Sequence, residues 1–135
     1  MRANVYFTRE ITPEKVVELY RALGVELPGK VAVKVHSGEK GNQNFLRPEF
    51  WCPMVEEVHG TIVECNTAYG DAAGGVRDHT ESHRKLLQEH GWTKYFDVDL
   101  MDAEGPDVVW PIPNGKVLKE NHVGKHLSLI HISEP

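Results

Sequence analysis

The stretch "GKVAVKVHSGEKGNQNFLRPEF", Gly29 to Phe50, decides how the rest of the chain is read. Lys30 to Val35 is a short β-branched run with no helical spacing, which predicts a strand. A polar loop, "HSGEKGNQNF", follows from His36 to Phe45. Pro48 then opens a helix expected to run to about Val58, with Pro53 forcing a start in two steps or a kink. Strand, loop and helix in this order form the first half of a β-α-β unit.

Working outward, the same order repeats. Gly60 ends the helix and "TIVEC", Thr61 to Cys65, reads as the next strand. A glycine-rich loop spans Asn66 to Gly75, and a helix runs from Asp78 or Thr80 to Glu89, with Gly91 beyond it. "YFDVDL", Tyr95 to Leu100, is a further strand. On the N-terminal side, "NVYF" (Asn4 to Phe7) reads as a β-rich run. Thr12 and Pro13 then cap and open a helix closed by Gly24. Val16, Leu19, Tyr20 and Leu23 repeat at its helical spacing. Pro111, Pro113 and Asn114-Gly115 point to a short hairpin or irregular strands. Strands alternating with helices imply right-handed crossovers. The predicted fold is α/β: three-layer, mainly parallel sheet with crossover helices, incomplete at the C-terminal side.

Bulk properties narrow the function. The 135 residues are 40% hydrophobic and 26% charged, with a net charge of −5. That excess of acid argues against nucleic-acid binding, which needs a basic stripe. No apolar run approaches the ~20 residues that span a bilayer, and the N-terminus lacks a signal-peptide core. A cytoplasmic location, with neither nucleic acid nor membrane as partner, is the expectation. The two cysteines, Cys52 and Cys65, match no zinc or iron–sulfur spacing and read as reduced thiols.

In an open α/β sheet, ligands bind beyond the carboxyl ends of the strands. Lys34, His36, Ser37, Gly38 and Glu39 leave the second predicted strand. Glu64, Asn66, Thr67 and Tyr69 leave the third, and Asp97, Asp99 and Asp102 come with the fourth. A cation, carboxylates, an imidazole, an amide and a phenol would converge there. Such a set suits acid–base work, a metal or a polar ligand. The bland alternative is helix capping and loop satisfaction. The loop after Val35 holds only Gly38 and Gly41, so it is neither a dinucleotide fingerprint nor a P-loop. The helix start at Pro48, beside Arg47, could hold an anion or be a solvated turn.

"DHTESHRKLLQEHGW" places His79, His83 and His90 within about 40° on one helix face. His83 and His90 are still about 10 Å apart along the axis, too far to share an ion at bonds of about 2 Å. His79 and His83 could share one with a third ligand. His83 is the better functional candidate, and His90 reads as structural. No nucleophile elbow, zincin motif or Cys–His arrangement is present.

The blocks "GKVAVKVHSGEKGNQNFLRPEF", "GTIVECNTAYG", "TESHRKLLQEHGW", "FDVDLMDAEGP" and "VGKH" occur in an order that resembles the family called domain of unknown function 362. The likeness extends from Asn4 to His126. Members of that family are associated with iron–sulfur clusters, and many carry a ferredoxin-like segment with two four-cysteine motifs. The resemblance implies a redox link but no reaction. It puts weight on Lys34, Gly38, Glu39, Asn44, Arg47 and Pro48. It also marks Glu64, Asn66, Tyr69, Arg77, Thr80, His83, His90, Gly91, Asp99 and Asp102. "DAAGGV" (Asp71 to Val76) departs from the family's basic turn, and His79 stands where a small polar residue is expected.

The ending, "LSLIHISEP" (Leu127 to Pro135), looks like translated sequencing-adapter read-through. The expectation is therefore that 1–126 is the N-terminal part of a single α/β domain and 127–135 a non-native tail. An iron–sulfur cluster is expected in the complete protein and none in this stretch, because two cysteines cannot build a four-cysteine site. A divalent metal is a further candidate, and a ferredoxin-like segment or electron-transfer partner follows from the resemblance. His83, Glu64 and Asp99 are the catalytic candidates. Lys34, Gly38, Glu39, Asn44, Arg47, Asn66 and Tyr69 are the residues for a small polar or anionic ligand, and Asp102 the metal ligand. Two alternatives stand beside the redox reading: a metal-assisted hydrolase or isomerase, and a non-catalytic binding domain.

Overall fold

A computed structural model describes residues 4–67, 75–101, 108–123 and 128–131. Helix α1 covers Pro13–Leu23, opened by Thr12, whose side chain accepts from the Lys15 N–H, and closed by Gly24 in the left-handed region. Strand β1 is Val31–Lys34. The segment after the loop indeed begins in two steps. A 3-10 turn at Pro48–Trp51 leads into helix α2, Cys52–Val58, with Pro53 in its first turn where its missing N–H costs nothing.

The turn after α2 differs from expectation. His59, not Gly60, takes the left-handed conformation, with φ 48°. Gly60 is needed for another reason: a Cβ there would lie 2.8 Å from Val33 Cγ2. The glycine lets the chain pass tightly over β1 into β2, Thr61–Cys65. Helix α3, Thr80–Glu89, and a 3-10 turn at Trp92–Lys94 follow.

Strand β3 is only Asp99–Met101, shorter than the predicted Tyr95–Leu100. The N–H groups of Tyr95 and Phe96 bond back to the Trp92 carbonyl, which keeps the chain turning until Asp97. Strands β4, Val108–Pro111, and β5, Glu120–Val123, form an antiparallel hairpin, as Asn114-Gly115 suggested. Strand β6, Ser128–His131, lies within the stretch set apart as a tail.

The main sheet has the order β3-β2-β1-β6 and is parallel throughout. Its register pairs Val33 with Ile62 and Glu64 with Leu100. Those residues share one face, because paired positions of a parallel ladder point the same way. Trp51, Leu87, Trp92 and Val98 join Val33, Val35, Ile62 and Leu100 in one buried cluster. Helices α2 and α3 therefore cover the same face, as two successive right-handed crossovers in one direction require. Each large apolar side chain buried here contributes about 1.5–3 kcal/mol. Ala32 and Val63, on the opposite face, are also buried. Both central strands are thus covered on two sides, the usual state of a parallel sheet.

Asn4 to Phe7 does not form the expected strand. Among the described residues no strand pairs with it, and Val5 and Phe7 are 89% and 79% exposed. A β-rich composition without a ladder partner leaves the backbone to water. Helix α1 instead packs on α2, where Arg21 forms a bidentate pair with Glu57 at 2.8 and 2.6 Å.

Candidate functional site

Period two along β1 sets the site. Val33 and Val35 face the core, so Ser37 continues on that face and enters it. By the same parity Glu64 follows Ile62 into the core side of β2. Ser37 is fully buried and Glu64 is 1% exposed. A carboxylate is excluded from water at that cost only when it is paired and hydrogen-bonded. Here Oε1 accepts from the Ser37 N–H at 3.0 Å, the Ser37 hydroxyl at 3.0 Å and Arg77 Nη1 at 2.7 Å. Oε2 accepts from the Cys65 N–H at 3.0 Å, and Lys34 Nζ lies 3.9 Å away.

Arg77, which enters just before α3, ties this carboxylate to a second one. Its Nε and Nη2 both reach Glu39 Oε1 at 2.6 Å. Glu39 belongs to the loop after β1, so one guanidinium clamps the loop after β1 to the end of β2. The Thr67 N–H also donates to the Arg77 carbonyl at 2.9 Å. Two carboxylates and two cations make the cluster formally neutral, which suits its burial.

The imidazole of His83 closes the cluster from α3. His83 Nε2 is 3.3 Å from the Ser37 hydroxyl, and Nδ1 is 3.1 Å from Asn66 Oδ1. Asn66 in turn donates to Thr80 Oγ1 at 3.1 Å. Burial pushes His83 down to about 4, against the raising pull of Glu64. His83 is therefore neutral at pH 7. His36 is also lowered, by burial first and by Arg77 second, and its Nδ1 accepts from the Gly38 N–H at 2.9 Å.

The loop that carries Glu39 is tied to the end of α3 and the 3-10 turn after it. The Ser37 carbonyl accepts from Trp92 Nε1 at 3.1 Å and bonds His90 Nδ1 at 2.9 Å. Phe45 stacks on His90 with ring centroids 4.7 Å apart, and Arg47 lies over the Phe45 ring at 4.4 Å. Gly38, at φ 89°, permits this arrangement: a Cβ would sit 2.5 Å from the Phe45 ring.

Six of the candidate residues thus come together: Lys34, Gly38, Glu39, Glu64, Asn66 and His83. Others lie apart. Asp99 opens β3 and lines a separate cleft of about 520 Å³ with Lys30, His59, Thr61, Arg84 and Asp97, at the starts of the strands. Asn44 and Arg47 are exposed, and Arg47 bonds the Gln43 side chain at 2.8 Å. His79 is exposed while His83 is buried, so the two do not converge. The His90 side chain goes to the Ser37 carbonyl and the Phe45 ring. Tyr69 and Asp102 lie outside the described residues. Among the described residues no group of three His, Cys, Asp or Glu could hold a metal.

Ser37, Arg77 and Trp92 are the residues that sequence reasoning left without a role. For Ser37 the signal was present, since residues 33, 35 and 37 share a face. For Arg77 and Trp92 no local pattern tells which loop they meet.

Comparison with known proteins comes to one family. No curated protein and no solved structure matches the chain. The family model described as domain of unknown function (DUF362) matches residues 31–131 of the 135. The match takes in the whole parallel sheet, β6 included, and begins after α1. Every residue of the Ser37–Glu64–Arg77–His83 cluster falls inside it, and the chain belongs to this family.

Proposed function

We propose that the end of the sheet carrying Lys34, Glu39, Glu64, Asn66 and His83 is the working end of this domain, a site for a small polar or anionic ligand. One observation carries this reading. Loops after β1 and β2 and the start of α3 send charged and hydrogen-bonding side chains to one place at the carboxyl ends of parallel strands. That is where open α/β sheets bind ligands. Lys34, with its side chain 19% exposed, is the cation that meets the ligand, and Glu64 and His83 handle its proton.

The redox part of the reading rests on the family resemblance. A four-thiolate cluster does not fit this chain by itself. Cys52 and Cys65 are its two cysteines, one opening α2 and one ending β2, and burial raises the Cys52 thiol. Any iron–sulfur centre would sit on a ferredoxin-like segment or partner, and this domain would supply the ligand site beside it. Iron and acid-labile sulfide assays on the complete gene product test that part. Two iron-free preparations made under anaerobic reconstitution would contradict it.

The ligand site is tested by a thermal-shift screen with inorganic phosphate, oxalate, malate and Mn²⁺. A probe that raises the midpoint for the wild type but not for Lys34→Ala supports the site. Equal shifts in both proteins would place the binding elsewhere.

A further inference from the structure

We infer that Glu64, Ser37 and His83 form a one-proton relay whose direction is set by Asn66. The inference rests on the ligand site proposed above and deepens it by stating where the site's proton goes. Three distances carry it. Ser37 Oγ stands 3.0 Å from Glu64 Oε1 and 3.3 Å from His83 Nε2, so one hydroxyl bridges a carboxylate and an imidazole. Asn66 Oδ1 stands 3.1 Å from His83 Nδ1.

The tautomer follows from donor and acceptor chemistry. Asn66 spends its amide N–H on Thr80 Oγ1. Its carbonyl oxygen is left facing His83, and a carbonyl only accepts. Nδ1 of His83 therefore carries the proton, and the Nε2 lone pair points at Ser37. The single Ser37 proton goes to the ionised carboxylate, the stronger acceptor. His83 Nε2 then waits as an empty acceptor at the inner end of the chain.

The transfer balances as follows. A ligand O–H beside Lys34 gives its proton to Glu64 and is left as an anion, and Ser37 rotates its O–H toward Nε2. Ser37 gives that proton to Nε2 as it takes the new one from Glu64 Oε1. One N–H bond forms, one O–H bond on Glu64 breaks, and the serine hydroxyl is regenerated. Glu64 is an anion again and His83 an imidazolium. The charged groups of the cluster around His83 are Glu64 from β2, Glu39 from the loop after β1 and Arg77 ahead of α3, while Arg84 of α3 lines the far cleft and acts on His83 only at a distance. The imidazolium gains the two carboxylates but stays near the Arg77 guanidinium and in a buried place. It therefore returns the proton by the same steps once the ligand has reacted. Ser37 and Asn66 are positioning residues in this scheme.

The test is ¹⁵N NMR of the histidines in the full chain. At pH 7 His83 is expected to show a pyrrole-type Nδ1 and a pyridine-type Nε2. The reversed tautomer, or a fully protonated ring at pH 7, would overturn the inference. Asn66→Asp puts a carboxylate on Nδ1 and should raise the His83 titration midpoint by roughly 1–3 pH units with the tautomer kept. Ser37→Ala should lower that midpoint, because the imidazolium loses the hydroxyl that links it to Glu64. An unchanged midpoint in either folded variant counts against the relay, and Asn66→Asp alone suffices where Ser37→Ala does not fold. The tautomer is read without any ligand, so failure of the thermal-shift screen leaves this result separately legible.

Discussion

At the scale of the residue, Glu64 holds the cluster together. Its two oxygens receive three protein N–H or O–H groups and a guanidinium. Glu64→Ala removes one of the two carboxylate partners of a buried cation and leaves the Ser37 N–H unsatisfied. Breaking a buried pair from one side costs about 3–5 kcal/mol. Urea unfolding of Glu64→Ala should show a loss of that size, whereas Glu57→Ala, at the exposed α1–α2 pair, should leave the unfolding midpoint nearly unchanged. His83 makes stability depend on pH. Its folded value of about 4 lies below the ordinary 6.5, so the unfolded chain binds the proton more readily. The stabilisation is full above pH 6.5 and falls as pH drops toward 4. The amount at stake is on the order of 3 kcal/mol. Unfolding free energies at pH 7 and pH 4.5 should differ more for the wild type than for His83→Gln. An equal difference in the two proteins would show that His83 is not the titrating group.

At the scale of the element, the sequence was most legible where local chemistry decides. Thr12, Pro13 and Gly24 bound α1 as predicted, because caps act within a few residues. Thr12→Ala should cost about 0.5–2 kcal/mol, read as a lower unfolding midpoint. Strands β1 and β2 were legible from their β-branched runs. Asn4 to Phe7 is also β-rich, through Val5, Tyr6 and Phe7, and forms no strand, since strand formation needs a neighbour and composition does not supply one. Strand β3 is short because the Trp92 carbonyl recaptures the chain at Tyr95 and Phe96, a contact without a sequence signature. The same limit applies to the site. Lys34, Glu64 and His83 were legible from the fold rule that ligands meet strand ends. Arg77's clamp across two loops was not, because it depends on which loops the topology brings together.

At the scale of the whole molecule, the parallel sheet has two polar ends. One carries the buried cluster; the other carries the cleft of Lys30, His59, Arg84, Asp97 and Asp99. Asp99, a catalytic candidate on sequence grounds, belongs to the second end, because β3 begins at that residue and not four residues earlier. No helix among the described residues is long and apolar enough to cross a membrane. Under the proposed function the ligand binds at the first end. The direct test is amide chemical-shift mapping of the ¹⁵N-labelled chain, titrated with the probe that gives the largest thermal shift. The perturbed amides should cluster at His36 to Glu39, Cys65 to Thr67 and Arg77 to His83. Perturbations confined to Lys30, His59 to Thr61 and Asp97 to Asp99 would contradict it.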